Sequence, residues 1–426
     1  MSISQLFPEE GPTLNLNFAG SKTLDPRITF SRTSTATYMD DSGLIKVAPA
    51  DSPRFDHRYV NGEIESLGLL VEEQRSNLLT YSEDFSVWTK QTGVAGTYVG
   101  LASTDIISPD GTSNATKFYV ANEGGGFYSL YRSVGITSNI NYTYSVFMKK
   151  NEEDIVYLTV YTGSSPTGGN QLVSYNLTSG TVTGITTTGT NTGISSASIT
   201  PYNNDWYRCS MTFQLNVSTT VQIKLGADIS SLNESIYIWG AQLEQGSSPT
   251  SYIPRPDTST ATRTPDNASI TGDNFSDWYN QSEGTIVSNY STFRPTGANS
   301  ADFAIVSSEA VPLDRIVGWQ NTNRTPLFSV IQNNTNNFLV GKNEQYIDRL
   351  VKKALAIKTD NMIVSVDGNL YSSDLVSGVS DTLPITFNRI LFGYEGIFAS
   401  YLNGHIRGFI YYPTRLTNTQ LQTLTK

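Results

Sequence analysis

The residues able to cleave a glycosidic bond are paired carboxylates held across it, and in this sequence the acids cluster as chain neighbours: Asp40-Asp41, Glu72-Glu73 and Glu152-Glu153-Asp154. Neighbours in a strand point to opposite faces, and neighbours in a turn are both solvated, so adjacency does not supply that geometry. No catalytic residue is nominated. His57 and His405 are the candidate imidazole bases, but neither lies in a zinc-protease pattern or near a nucleophile elbow, so both are read as packing or turn residues. Gly124-Gly125-Gly126 lacks the Lys-Ser/Thr of a phosphate loop and precedes the strand-like Phe127-Tyr128-Ser129-Leu130-Tyr131, so it is read as a loop tip. Asp110 and Asp367 could give oxygen ligands to a structural calcium. Each precedes a glycine, and a plain turn role is the competing reading; no other metal or cofactor is expected.

Sugar binding asks for different chemistry: aromatic faces to stack on pyranose C–H groups, with amides and hydroxyls to bond to the sugar hydroxyls. The run Ile155-Val156-Tyr157-Leu158-Thr159-Val160-Tyr161 supplies it. As a strand it places Val156, Leu158 and Val160 on a core face and Tyr157, Thr159 and Tyr161 on the other. Tyr157 and Tyr161 then stand about 13 Å apart by strand rise, the span of two or three linked sugars. These three residues are the candidate carbohydrate-binding group, with contact to another subunit as the alternative use of the same face.

The composition suits that surface. Charged residues make up 15% of the 426-residue chain, against about 25% in ordinary domains. Net charge is −10, and no basic run is longer than Lys149-Lys150 or Lys352-Lys353, which disfavours nucleic-acid backbones as partners. The single cysteine, Cys209, excludes an intrachain disulfide framework and fits folding in a cytosol. Residues 1–5 have neither a basic start nor an apolar core, and no stretch reaches the roughly 18 apolar residues of a membrane span. No membrane is expected as a partner.

Short runs rich in Val, Ile, Thr, Tyr and Phe recur between Gly, Asn, Asp, Ser and Pro clusters, predicting antiparallel sandwiches. Boundaries are placed after Leu78-Leu79 and at Ile253-Pro254-Arg255-Pro256-Asp257. They divide the chain into an N-terminal attachment or packing segment (1–80), a middle sandwich (81–254) and a C-terminal sandwich (255–426). The first segment contains the alternating Leu14-Asn15-Leu16-Asn17-Phe18 but too little apolar content for a core of its own. It is expected to pack on a neighbouring domain or subunit through Pro53-Arg54-Phe55-Asp56 and Gly68-Leu69-Leu70-Val71. Trp206 and Trp239 read as core; Trp88, Trp278 and Trp319 are unassigned. One helix is predicted, at the C-terminus, where Thr417 and Gln420 form a capping box and Leu416, Leu421 and Leu424 are available to pack it on an edge of the last sandwich.

Three stretches carry further recognisable motifs. The first is Phe30-Ser31-Arg32-Thr33-Ser34-Thr35-Ala36-Thr37-Tyr38 with Gly43-Leu44-Ile45, Pro53-Arg54-Phe55-Asp56 and the run from Gly68 through Glu72-Glu73-Gln74-Arg75-Ser76-Asn77 to Leu79. The second is similar to a carbohydrate-binding jelly roll: Pro109-Asp110-Gly111-Thr112, Ala115-Thr116-Lys117-Phe118, Tyr142-Thr143-Tyr144-Ser145-Val146-Phe147-Met148-Lys149-Lys150 and Trp239-Gly240-Ala241-Gln242-Leu243-Glu244. The third is similar to concanavalin-A-like, laminin-G-type sandwiches: Val364-Ser365-Val366-Asp367-Gly368, Ile390-Leu391-Phe392-Gly393 and the stretch Gly404-His405-Ile406-Arg407-Gly408-Phe409-Ile410-Tyr411-Tyr412. Asp367-Gly368 and Asn403-Gly404 are also good tight-turn dipeptides.

Together these three stretches resemble modular virion proteins of tailed bacteriophages, and the resemblance implies an all-β fold of tandem antiparallel sandwiches, jelly roll plus concanavalin-A-like, with a short C-terminal helix. It implies a non-enzymatic fibre, neck or head-surface decoration protein on the outer surface of a virion, with other virion proteins and a cell-surface glycan as partners. A homo-oligomer follows from the symmetry of such assemblies, a trimer first. Two alternatives stand beside it. A tailspike-type depolymerase would show the short sustained repeat of a β-helix, and none is found; a secreted glycan-binding protein would carry a signal peptide and often disulfides.

Overall fold

Strict alternation of apolar and polar residues gives strands with one buried face, and such strands stack as pairs of sheets. The computed structural model describes residues 8–91, 99–121, 128–163, 169–189, 192–229, 231–232, 234–293, 299–307, 314–342, 346, 349–372, 387–396 and 400–426. Residues 1–5 and 124–127, read above, lie outside that set. Among the described residues the fold is all-β, with helix confined to Asp273–Ser276, the 3-10 turn Phe85–Val87 and the C-terminal Asn418–Leu424. No described helix is long and apolar enough to cross a membrane.

The middle sandwich stacks two sheets. One runs, in spatial order, Thr181–Thr187, Asn170–Asn176, Ile155–Tyr161, Thr219–Ala227, Tyr128–Ile136 and Thr89–Gln91; the other runs Thr192–Pro201, Trp206–Leu215, Asn141–Lys150, Ser235–Gln245, Thr116–Val120 and Val99–Ser103. Val156, Leu158 and Val160 are fully buried between them with Tyr144, Val146, Met148 and Cys209. The Tyr175 hydroxyl crosses the core to donate to the Ser210 carbonyl at 2.7 Å, so even the polar atom of that ring is satisfied.

The C-terminal sandwich takes strands from both ends of the chain. Leu14–Leu16 pairs with Gly404–Tyr412, and Glu63–Val71 pairs with the other end of that strand, Leu69 opposite Ile406. In the facing sheet Thr29–Ser31 pairs with Asn267–Thr271. Leu14, Leu16, Phe18, Leu69 and Val71 are buried in one core with Phe303, Phe392 and Phe409. Much of the thin apolar content of residues 1–80 is therefore spent inside a core that the C-terminal residues mostly build, while Ile45 and Leu79 pack on the middle sandwich. The stretch from Phe30 to Tyr38 divides: Thr29–Ser31 joins that sandwich, while Ala36–Met39 forms a hairpin with Ile45–Ala48.

The terminal helix has the predicted box, Thr417 accepting from the Gln420 backbone and Gln420 accepting from the Thr417 backbone. It lies on the outer face of the eight-stranded sheet at one edge, over Val351–Lys358, Ile363–Val366 and the edge strand Asn369–Tyr371, with Gln422 donating to the Gly368 carbonyl. In Val351–Lys358 the alternation turns Leu355 and Ile357 inward and leaves Ala354 and Ala356 on the outer face with Val287, Leu416 and Leu421, where small residues let the helix approach. The two expected turn dipeptides differ. Asp367 and Gly368 both have positive φ (47° and 76°) and join Ile363–Val366 to Asn369–Tyr371 as a tight hairpin. Asn403 also has positive φ, but Gly404 begins a strand; a Cβ there would sit 2.1 Å from the Ser291 carbonyl oxygen, so close strand approach, not a hairpin, requires the glycine.

One outer face of the middle sandwich is covered by the chain itself. Phe147, Trp206 and Trp239 are buried there with Tyr252 and Ile45. Asn77 fastens the crossing: its side-chain amide donates to the carbonyls of Ala241 and Ile253, and its oxygen accepts from Leu243 and Leu79. Beside it lies a buried ionic network. Arg54 bridges Glu72 (2.8 Å) and Asp266 (2.5 Å), Arg32 joins Asp266 (3.0 Å), and Arg263 joins Glu72 (2.9 Å), with all five side chains at most 1% exposed. Burial alone would push the Glu72 carboxyl up; Arg263, Arg54 and two hydrogen bonds from Ser251 outweigh it and hold the group down at about 2. The segment from Ile253 to Asp257, read from sequence as a stiff linker, thus begins as packed structure, because Tyr252 and Ile253 are buried.

Candidate functional site

The opposite outer face of the middle sandwich carries a cleft of about 470 Å³ that crosses five strands. Its position follows from register. Tyr157, Thr159 and Tyr161 stand opposite Gly226, Lys224 and Gln222 on one neighbouring strand and opposite Ser174, Leu172 and Asn170 on the other. Beyond Lys224 the ladder continues to Tyr131, and Ser129 lies opposite both Gly226 and Gln91. The cleft is lined by Tyr157, Thr159 and Tyr161 together with Tyr131, Lys224, Gln91, Gln222 and Asn170. Thus the structure places all three sequence-nominated residues in one concavity.

Gly226 sets its depth. A Cβ there would lie 2.5 Å from the Tyr128 carbonyl oxygen, so the position admits no side chain and leaves the floor low beside Tyr157. Tyr157, Thr159 and Tyr161 are half-buried. The Tyr157 phenol is pushed well above its ordinary pKa by burial and by Asp228, whose carboxylate accepts its hydrogen bond. That bond fixes the ring orientation.

Lys224 is the charged centre. It is 8% exposed, donates from Nζ to Gln91 Oε1 at 2.7 Å, and lies 4.2 Å from the Tyr161 ring centroid and 5.8 Å from that of Tyr131. Burial lowers its pKa. Gln91 Oε1 also accepts from Ser129 Oγ at 3.0 Å. The sequence reasoning passed over Lys224, Gln222 and Tyr131. The signal was present, since Val221, Ile223 and Leu225 alternate with Gln222 and Lys224 and so assign both to the outer face.

A second cleft, about 340 Å³, lies on the C-terminal sandwich around Arg315, Trp319 and Glu395. Its polar groups are mutually engaged: Arg315 pairs with Glu395 at 2.8 Å and the Trp319 indole donates to Ser329 at 2.8 Å.

The other nominated groups are occupied structurally. Asp110 Oδ1 accepts from Ser108 Oγ and from the backbone and hydroxyl of Thr112. Asp367 Oδ2 accepts from Tyr346 and Arg349. Among the described residues no three His, Cys, Asp or Glu side chains gather as a metal-binding group. His405 Nε2 lies 2.8 Å from Asp56 Oδ2, and His57 Nδ1 lies 3.1 Å from the Met39 carbonyl oxygen. Of the adjacent acids, Asp40 closes a turn with Ser42 and Leu44, Asp41 pairs with Lys22, and Glu153 accepts from the backbones of Asp154 and Ile155. Glu72 departs from the expectation that turn acids are solvated, because three arginines converge on the junction and make a buried carboxylate tolerable there. Trp206 and Trp239 are core as expected, and the unassigned Trp88 and Trp278 are buried as well.

No protein-family model matches the sequence, and no curated protein matches it. Solved structures give distant likenesses. The carbohydrate-binding module CBM40 of a Ruminococcus gnavus IT-sialidase is 13% identical over 34% of this chain and 84% of its own, with a TM-score of 0.29. A SAP-like pentraxin from Limulus polyphemus is 11% identical over 34% of this chain and 70% of its own (TM-score 0.25). A Trypanosoma rangeli sialidase is 10% identical over 91% of this chain and 79% of its own (TM-score 0.30). At these values the likenesses carry nothing about function.

Proposed function

We propose that this chain is a non-enzymatic structural or adhesive protein of a tailed-phage particle, and that the cleft on its middle sandwich binds a glycan. The observation that supports glycan binding most is the convergence of Tyr131, Tyr157 and Tyr161 with Thr159, Gln222, Asn170 and Gln91 in one concavity. Tyrosine faces match the C–H faces of pyranoses, and the amides and hydroxyls match their hydroxyl groups. The particle role rests on the sequence resemblance, which spans nearly the whole chain. Hydrolysis would need two carboxylates across the bond, whereas the described side chains lining the cleft offer phenols, amides, hydroxyls and lysines.

The test is binding of the purified protein to host cells and to isolated host polysaccharides. Saturable binding without release of reducing ends supports the reading. Release of reducing ends that disappears when one acid is changed to alanine would overturn it.

A further inference from the structure

Two lysines are nearly or fully buried in the described structure, and they are treated differently. Lys353, at 0% exposure, has Asp302 as an ion partner at 2.8 Å and donates also to the carbonyls of Trp319 and Leu327, so its three donors are used and its charge is compensated. Lys224, at 8% exposure, has one hydrogen-bond acceptor, Gln91 Oε1, and two tyrosine faces; among the described residues no carboxylate pairs with it. A buried ammonium costs desolvation energy that neutral partners offset only in part. In Lys353 an internal carboxylate completes the offset. Lys224 lines the cleft, and among the described residues its ammonium donates one hydrogen bond, to Gln91. Lys90 lines the same cleft and adds a second positive charge to a chain whose net charge is −10.

We infer that the cleft selects an acidic saccharide, with the carboxylate of a uronic or nonulosonic acid residue seated on Lys224 and the flanking sugars stacked on the tyrosines. The inference rests on the glycan-binding reading above and narrows it to a substrate class. Its geometry is coherent: Lys224 stands opposite Thr159, with Tyr157 and Tyr161 two residues along the strand to either side, on the same face. A charged group over Lys224 therefore leaves a ring on either side for the neighbouring sugars.

The test uses matched polymers: polygalacturonate, hyaluronan and polysialic acid, each beside its own carboxyl-reduced, neutral form. Binding of the intact protein is measured by calorimetry at low and physiological salt. At least one acidic polymer is expected to bind about tenfold or more tighter than its reduced form, the scale of one charge-assisted hydrogen bond. Lys224→Gln should bring that ratio to about one, and Lys224→Arg should retain it, with thermal melts confirming that both variants fold. Equal binding of acidic and reduced forms by the native protein would overturn this inference and leave the glycan reading standing. A preference that persists in Lys224→Gln would overturn the role given to Lys224. Binding to no member of either set would overturn the inference and count against the glycan reading as well.

Discussion

The two outer faces of the middle sandwich are both aromatic and both carry a cation over a ring, yet one is sealed and the other open. On the sealed face the Arg208 guanidinium lies 5.4 Å from the Phe147 centroid and donates to Ser145 and to the Thr250 carbonyl, while Tyr252 covers Trp239 with ring centroids 4.8 Å apart. On the open face Lys224 lies over Tyr161, and no segment of the described chain comes down upon it. The rings differ in kind. Phe147, Trp206 and Trp239 share the covered face with Tyr202, Tyr237 and Tyr252, whereas the rings lining the open cleft are tyrosines, whose hydroxyls tolerate water. A sandwich has two outer faces, and this one uses the first to join the rest of the molecule and carries a cleft on the second.

If the sealed face is held by the buried ionic network, the largest effect of any single change should come from Arg54. Arg54→Met leaves Glu72 and Asp266 each short of a cation in a fully buried site, a loss of about 3–5 kcal/mol. Guanidinium unfolding should show it as a markedly lower midpoint. A shift below about 1 kcal/mol would mean that hydrophobic contacts alone carry the junction.

Acid should open the same face next. Glu72 is depressed in the folded protein, to about 2 from an ordinary 4.5, so its contribution is fully present above about pH 4.5 and is lost as pH falls toward 2. The difference corresponds to about 3 kcal/mol. Melting temperatures measured from pH 5 to pH 2 should fall across that window, and Glu72→Gln should flatten the fall. A variant with an unchanged acid slope would place the titration elsewhere.

Strand identity was legible in the sequence because period two is a local signal; Val156, Leu158 and Val160 declare their face without help from the rest of the chain. The terminal helix was legible for the same reason, its capping box lying within four residues. The junction was not. Arg32 meets Asp266 across 234 positions and Arg54 meets Asp266 across 212, and neither pairing leaves a trace in local patterning. The site was half legible: Tyr157, Thr159 and Tyr161 follow from alternation, but their neighbour Lys224 depends on strand order, and its bond to Gln91 spans 133 positions.

A change remote from both faces calibrates these effects. Thr417→Ala removes the cap of the terminal helix and should cost about 1 kcal/mol, with glycan binding and the acid slope unaltered. A larger loss, or a loss of binding, would mean that the two sandwiches are coupled more tightly than their separate cores imply.

The double change Tyr157→Ala with Tyr161→Ala is the one that says what the open face is for. Both residues are half-buried and line the cleft, so a protein that uses them on a glycan should stay folded, losing about 1–2 kcal/mol with the Tyr157–Asp228 hydrogen bond and the Tyr161–Lys224 contact. It should at the same time lose adsorption to host cells, while keeping its oligomeric mass and its incorporation into particles. If another subunit covers the face instead, as a homotrimer could arrange, the double change removes up to a few hundred Å² of contact, worth several kcal/mol at about 25 cal/mol per Å². Light scattering would then move toward the 46.7 kDa monomer, and assembly would fail before adsorption did. Normal adsorption together with normal mass would show that neither use applies, and the contrast between a sealed and a working face would have to be given up.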